Sequence, residues 1–335
     1  MEIRKVQNFV TQNAIYIVLA VLVIGIAVYE PSFIGLNTLQ DILAQSSTRV
    51  IIALGVAFIL ITGGTDLSAG RMVGLTAVIS ASMLQTEEYG RRFFPDLPQL
   101  WMILPIIIAI VVGLIFGMIN GIIVSKFKVP PFIATLGTMV AIYGINSLYF
   151  DMDPNQSQPI GGLRKDFTDL GSGSIHIGQF SLHYIVIIAI AVCFIVWVMF
   201  NKTRLGKNMY AIGGNVQAAK VSGINVNKYL ILIYSIAGAL YGLAGVLEAA
   251  RTGGATNNYG NMYELDAIAA CVVGGVSTTG GIGTVPGVMA GVLIFTVINY
   301  GLTFVGVGPY WQQIIKGAII VAAVAFDMRK YASKK

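Results

Sequence analysis

The sequence predicts an all-α integral membrane protein with about ten transmembrane helices and both termini in the cytoplasm. Of its 335 residues, 56% are hydrophobic and only 11% are charged, whereas a soluble domain carries about 25% charged residues. Apolar runs at 14–29, 101–124, 184–200 and 285–300 approach the roughly 17–25 residues that a spanning helix needs. Basic residues are concentrated in alternate connecting segments, as expected of a multi-pass protein.

Ten apolar segments, each bounded by helix-breaking residues, are the predicted spans. They centre near residues 14–29, 47–63, 71–86, 101–124, 131–150, 182–200, 228–250, 265–281, 286–305 and 309–327. The first follows Arg4 and Lys5 as a secretory signal would, but it ends in GIAVYEPSF without a small-x-small cleavage site, which favours an uncleaved helix. Glycine pairs at 63–64 and 274–275 are places where a helix can break inside the bilayer.

The distribution of basic residues predicts the orientation. With a cytoplasmic N-terminus, 14 of the 21 basic residues fall on the inside, which agrees with the positive-inside bias. Arg49 and Arg251 are among those assigned to the outside, and Lys316 lies within the last span. Residues 1–335 then form a single transmembrane domain with an extracytoplasmic loop at 151–181 and a cytoplasmic loop at 201–227. Both glycine pairs fall on the same side of the membrane.

Several classes of site are disfavoured by composition. Cys193 and Cys271 both lie inside apolar runs, so they indicate neither a disulfide framework nor a metal site. His176 and His183 are more typical of a solvated loop than of a metal-ligand pair. The net charge of +6 follows the membrane topology and forms no concentrated basic face, so no nucleic-acid partner is expected.

The sequence lacks the usual marks of a built-in energy source. The Gly206–Lys207 pair has Asn201 where the phosphate-binding G-x-x-x-x-G-K-[ST] loop needs its first glycine. Ion-driven carriers keep ionisable side chains in the middle of their spans. Here mid-span positions are almost free of them, and four acidic residues fall near the ends of predicted spans: Asp66, Glu248, Glu264 and Asp266. A transporter of this kind would therefore take its driving force from a partner.

The span interiors combine glycine steps with uncharged polar residues. Gly113, Gly117 and Gly121 form two overlapping G-x-x-x-G steps, which let helix backbones approach closely, and packing within one chain is favoured over an intersubunit contact. Polar residues without charge suit a neutral, hydroxyl-rich substrate that is recognised by hydrogen bonds, although each one alone more often joins helices. The candidate pathway residues are Asn120, Thr135, Thr138, Asn146, Asn299 and Gln312.

The cytoplasmic loop carries a recognisable motif. It reads NKTRLGKNMYAIGGNVQAAKVSGINVNKY, in which QAAKVSG is similar to the E-A-A-x-x-x-G pattern of ABC importer permeases, with Gln217 in place of the glutamate. Four other segments strengthen the match: GGTDLSAGRMVGL, PPFIATLGTM, YELDAIAACVVGG and YWQQIIKGAIIVAAVAFD. Together they resemble the ribose/galactose branch of these permeases, and within it the galactose/methyl-galactoside members most.

The resemblance implies a type II-like ABC importer permease in the bacterial cytoplasmic membrane, and a chain that is not itself an enzyme. Its partners would be a second copy of itself, an ABC ATP-binding subunit that carries ATP and Mg²⁺, and an extracytoplasmic sugar-binding protein. This chain would itself bind no cofactor and no metal. A permease for ribose or another monosaccharide is the nearest alternative, and an ion-coupled secondary transporter is an alternative from another class.

The same resemblance assigns a coupling helix that contacts the ATPase. It comprises Asn215, Val216, Gln217, Ala218, Ala219, Lys220, Val221, Ser222 and Gly223. Asn215 is suited to the N-cap and Gly223 to the C-terminal end. Ala218 and Ala219 are expected to keep one side shallow enough to enter a partner's cleft. Gln217 puts in doubt any salt bridge from the position that is usually acidic.

Overall fold

A computed structural model describes residues 14–332 and shows thirteen α-helices among them. The helices are α1 (Ala14–Tyr29), α2 (Leu36–Ile61), α3 (Ala69–Met83), α4 (Ile103–Lys126), α5 (Pro131–Phe150), α6 (Lys165–Ser172), α7 (Tyr184–Lys202), α8 (Arg204–Gly214), α9 (Val216–Val221), α10 (Val226–Thr252), α11 (Tyr263–Val273), α12 (Val285–Phe304) and α13 (Pro309–Ala332). A 3₁₀ turn occupies Pro31–Ile34, and strands β1 (Ser174–Ile177) and β2 (Phe180–His183) form an antiparallel hairpin. The terminal basic residues Arg4, Lys5, Lys334 and Lys335 lie outside the described residues.

Six helices within the described range are long and apolar enough to cross a membrane: α2, α4, α5, α7, α10 and α12. The prediction of a helical membrane protein is confirmed by these spans. Each of the ten predicted segments also coincides with a helix, the other four being α1, α3, α11 and α13. Ten crossings nevertheless stay a prediction, because α3 and α11 have only 15 and 11 residues.

Helix α2 begins eleven residues earlier than the sequence predicts, at Leu36 instead of position 47. Arg49 therefore lies near the midpoint of this 26-residue helix and not at its end, as the predicted span 47–63 would place it. The first part of α2 carries Thr38, Gln40 and Ser46, which lower its apolarity, yet all three are buried. Hydropathy misses such a helix because its polar face contacts protein and not lipid.

The predicted eighth span is also shorter than expected. It was assigned to 265–281, but α11 ends at Val273 and gives way to an irregular segment, 274–284. A similar segment, 62–68, follows α2. The two segments lie side by side, because the Gly281 N–H donates to the Ile61 carbonyl oxygen at 2.8 Å. Irregular backbone of this kind is tolerated at membrane depth where protein surrounds it.

Helices α4 and α10 pack backbone against backbone. A Cβ added at Gly113 or Gly117 would lie well inside 3.0 Å of a carbonyl oxygen of α10, and one at Gly121 would lie 2.7 Å from the Cα of Ile231. The facing surface of α10 carries Gly238, whose own Cβ would meet the Gly113 carbonyl oxygen. The three glycines of α4 therefore form one close seam with α10, as such spacing allows.

Candidate functional site

In the loop between α7 and α10, two side chains cap the N-termini of the short helices α8 and α9. The Thr203 hydroxyl accepts from the Gly206 N–H at 3.3 Å and caps α8. The Asn215 carboxamide accepts from the Gln217 and Ala218 N–H groups at 2.9 and 3.0 Å and caps α9. Helix α9 then ends just before Gly223, whose φ of +82° is costly for any other residue. The sequence thus places a one- to two-turn helix at a fixed position between two caps.

The two sides of α9 are chemically different. Ala219 is only 4% exposed and packs with Ile212 and Val226 inside the loop. Val221, by contrast, is 91% exposed, and Ala218 is exposed as well. The expectation that Ala219 enters a partner's cleft is therefore wrong: it faces its own chain. The shallow outward surface is formed by Ala218 and Val221.

Helix α8 joins this loop to the two irregular segments. Gly213 packs directly on the end of α2, where an added Cβ would lie far inside 3.0 Å of the Ile61 carbonyl oxygen. The Tyr210 hydroxyl donates to the Gly283 carbonyl oxygen at 2.8 Å. Burial raises the pKa of the Tyr210 hydroxyl, so it remains a protonated donor near neutral pH. A movement of α8 would therefore displace the backbone at the start of the 62–68 segment and within the 274–284 segment.

Two of the predicted pathway residues hold the segment that precedes α3. The Asn120 amide of α4 donates to the Ser68 hydroxyl at 2.9 Å. The Thr135 hydroxyl of α5 accepts from the Leu67 N–H at 3.1 Å. Both side chains are fully buried. Their hydrogen bonds fix the 62–68 segment against α4 and α5.

The other four candidates fall in different places. Thr138 donates to its own helix, and the Asn146 amide donates to the Asn257 carbonyl oxygen at 3.3 Å. Gln312 donates to the turn between α12 and α13, with 2.8 Å to the carbonyl oxygen of residue 307. Asn299 lines a cavity beside α2. The structure thus separates the six residues into a group around α3 to α5 and a group at α12 and α13.

A group of ionisable side chains within the helices was missed by sequence reasoning. The Lys316 ammonium of α13 donates to the Asp266 carboxylate of α11 at 3.1 Å. The Arg49 guanidinium lies 3.4 Å above the centre of the Tyr263 ring and 4.0 Å from the Asp266 carboxylate. These contacts join α2, α11 and α13. The expectation that mid-span positions are almost free of ionisable side chains missed Arg49, which lies near the midpoint of α2.

A second carboxylate joins the cluster through the Tyr263 hydroxyl. Buried Glu248 accepts hydrogen bonds from Arg251 at 2.9 Å, from Thr48 at 2.9 Å and from the Tyr263 hydroxyl at 3.1 Å. Buried charges are normally paired in this way because an unpaired one is costly. Lys316 inside the last predicted span, and the acidic residues of YELD, were the signals that could have revealed the cluster. Among residues 14–332 no group of three or more His, Cys, Asp and Glu could hold a metal ion.

Known proteins align with this chain over most or all of its length. A family model described as "Branched-chain amino acid transport system / permease component" matches residues 38–324. The galactose/methyl galactoside import permease protein MglC of Haemophilus influenzae is 55% identical over 335 residues, covering 100% of this chain and 99% of the relative. The protein of that name from Escherichia coli is 54% identical, covering 98% and 97%.

More distant relatives also align over nearly the full length. The ribose import permease protein RbsC of Bacillus subtilis is 39% identical, covering 94% of this chain and 92% of the relative. No solved structure matches. The chain therefore belongs to the family of branched-chain amino acid transport system permease components, in which its curated relatives include galactose/methyl galactoside and ribose import permeases.

Proposed function

We propose that this chain is the membrane-spanning permease of a binding-protein-dependent ABC importer for galactose or methyl galactoside, driven by ATP hydrolysis in a separate subunit. The observation that carries the proposal is 54–55% identity along the whole chain to three permeases of that name. Ribose import is the second candidate, because ribose permeases align over 94% of the chain at 37–39% identity. Galactose is favoured over ribose because the ribose permeases are less similar to this chain than the galactose permeases are.

The proposed topology has ten crossings with both termini in the cytoplasm. Helix α11 would complete its crossing with the irregular residues on either side of it. The segment 151–181 would face the outside and 201–227 the cytoplasm. Cysteines placed at the exposed residues Ser172 and Ser222, in a chain that lacks Cys193 and Cys271, test this. They should react with an impermeant thiol reagent from opposite sides, and labelling from one side only would contradict the topology.

The proposed coupling helix is α9. Its outward surface carries the exposed apolar residues Val216 and Val221, which a bound partner would remove from water. Helix α8 behind it touches the ends of both irregular segments through Gly213 and Tyr210. Binding of the ATPase to α9 can therefore displace the broken helices. ATP and Mg²⁺ would be bound by the partner, and two copies of this chain would form the pathway.

Reconstitution tests the proposal directly. The chain is placed in liposomes with its ATP-binding subunit, with the sugar-binding protein outside and ATP inside, and uptake of radiolabelled galactose, methyl galactoside and ribose is measured. Galactose and methyl galactoside should accumulate, and only when both partners and ATP are present. The chain alone should hydrolyse no ATP. Uptake by the chain alone would support an ion-coupled carrier, and preferred uptake of ribose would support the second candidate.

A further inference from the structure

The charged side chains of α2, α11 and α13 surround a cavity of about 110 Å³. One water needs about 10–15 Å³ of such space, so the cavity has room for several waters or for part of a pyranose ring. Arg49 and Lys316 remain 30% and 25% exposed, which shows that the cavity opens to the surface of the chain. Its polar lining consists of Gln45, Arg49, Tyr263, Asp266, Thr296, Asn299 and Lys316.

Two polar atoms in this lining have no hydrogen-bond partner among residues 14–332. They are the Arg49 Nη1 and the Asn299 Oδ1, both buried and both without a hydrogen bond. The carboxylate of Asp266 lies 4.0 Å from the Arg49 Nη1, too far for a hydrogen bond, and it is already bonded to Lys316. A buried donor and a buried acceptor that stay unpaired cost free energy. Their position at one cavity indicates an occupant that both donates and accepts.

The chemistry of the lining selects among occupants. A metal cation is disfavoured because Arg49 and Lys316 flank the carboxylate of Asp266. An apolar occupant would leave the polar atoms unpaired. A hydroxyl group both donates and accepts, so neighbouring hydroxyls can donate to Asp266 and accept from Arg49. The apolar side chains of Val292 and Phe295 line the same cavity and can cover the C–H face of a sugar ring.

We propose that this cavity is a monosaccharide-binding subsite of the permease, in which Asp266, Arg49 and Asn299 hydrogen-bond the hydroxyls of a neutral sugar. The inference rests on the proposed function and deepens it, because the permease itself would bind the sugar in addition to the sugar-binding protein. The subsite lies beside the midpoint of α2, where an ionisable group inside a membrane helix marks a functional site. Lys316 holds the Asp266 carboxylate in position.

The test compares the Asp266→Asn variant with wild type in reconstituted complexes. Uptake is measured for D-galactose and for each of its four monodeoxy derivatives, always with the same sugar-binding protein. Taking the wild-type/variant ratio for each sugar cancels the contribution of the binding protein. We expect galactose uptake to fall at least about tenfold, as loss of a hydrogen bond to a charged group predicts. For the derivative that lacks the hydroxyl bound by Asp266, the ratio should shrink about threefold or more.

Matched variants separate this role from a structural one. Asp41→Asn makes the same change on α2 at an exposed carboxylate that accepts from Tyr300, and it should leave uptake unchanged. The subsite would be overturned if the wild-type/Asp266→Asn uptake ratio were equal for galactose and all four derivatives, or if Asp266→Asn lost no uptake at all. Either result would leave the proposed function intact. A wild-type complex that transports no hexose would overturn both.

A direct measurement covers the case in which the variant does not fold. Saturation-transfer NMR is recorded on the wild-type permease and ATPase in nanodiscs, without the binding protein, with methyl β-D-galactoside as the probe. Saturation transfer to methyl β-D-galactoside that disappears when excess galactose is added supports the subsite. No transfer at millimolar sugar, or stronger transfer to the anion galacturonate than to the neutral sugar, would overturn it.

Discussion

Replacing Gly213 by alanine is predicted to damage the contact between the proposed coupling loop and the end of α2. The added methyl group would lie far inside 3.0 Å of the Ile61 carbonyl oxygen and 2.5 Å from the Gly281 nitrogen. Those two atoms are themselves hydrogen-bonded at 2.8 Å. Backbone lies on both sides of the methyl group, so no flexible side chain can rotate away. Helix α8 must therefore move off α2, or the hydrogen bond between Ile61 and Gly281 must open.

The change in the free energy of unfolding caused by Gly213→Ala is the sum of three contributions. Loss of the hydrogen bond costs about 0.5–1.5 kcal/mol, and overpacking costs about 1–3 kcal/mol. Alanine in place of glycine within a helix recovers about 0.5–1 kcal/mol. The net destabilisation is about 2 kcal/mol, within a range of roughly 0.5–4 kcal/mol. Such a loss is comparable with coupling free energies of about 1–3 kcal/mol, so transport should suffer as well as stability.

The adjacent residue provides the control. A Cβ at Gly214 would meet nothing within 4 Å, and this glycine has no positive φ. Gly214→Ala should therefore fold and transport like wild type. The assay is thermal unfolding of the purified complex, together with uptake and ATP hydrolysis normalised to permease abundance. A Gly213→Ala protein with wild-type melting temperature and uptake would refute the contact between α8 and α2 as the route of coupling.

Three further substitutions test the two sides of the loop. Val221→Asp should leave permease abundance unchanged but weaken co-purification of the ATPase at least about tenfold, since burial of a valine contributes about 1.5–3 kcal/mol. The control is Asn227→Asp, at an exposed residue in the first turn of α10, and equal ATPase attachment in both variants would exclude α9 as the contact. Ala219→Asp should instead lower abundance itself, because it buries a charge inside the loop; normal abundance on immunoblots would contradict that. Tyr210→Phe should reduce stability by about 1 kcal/mol, and an unchanged melting temperature would show that the hydrogen bond to Gly283 is dispensable.

Much of the fold could be predicted because the lipid requires long apolar helices. The predicted boundaries of α5, 131–150, agree with the structure residue for residue, and those of α4 and α7 agree within two residues. The failures occur where a helix is surrounded by protein. Helix α2 carries buried Thr38 and Gln40, so its first turns look like a loop by hydropathy.

The site was predicted less completely, and for a related reason. A motif marks a position along the chain but not which side of a short helix faces inward, so Ala219 could not be distinguished from Ala218. The charged cluster was missed because its members come from segments far apart in sequence, such as Arg49 and Lys316. Arg49 was placed at the end of a predicted span and Lys316 inside another, and nothing in the sequence shows that the two meet. The caps at Asn215 and Gly223 were readable because capping depends on neighbouring residues alone.

The glycine seam between α4 and α10 has a mechanical consequence. Because backbone meets backbone at Gly113 and Gly117, no side chain can reorient to let one helix slide past the other. The pair should therefore move as one rigid body. Helix α10 has 27 residues, about 40 Å at 1.5 Å per residue, and it begins just after the proposed coupling helix α9. Its far end packs on α6, where Gly171 meets the backbone of Arg251. A displacement of the loop 201–227 should therefore be transmitted to the segment 151–181 at the other end of α10.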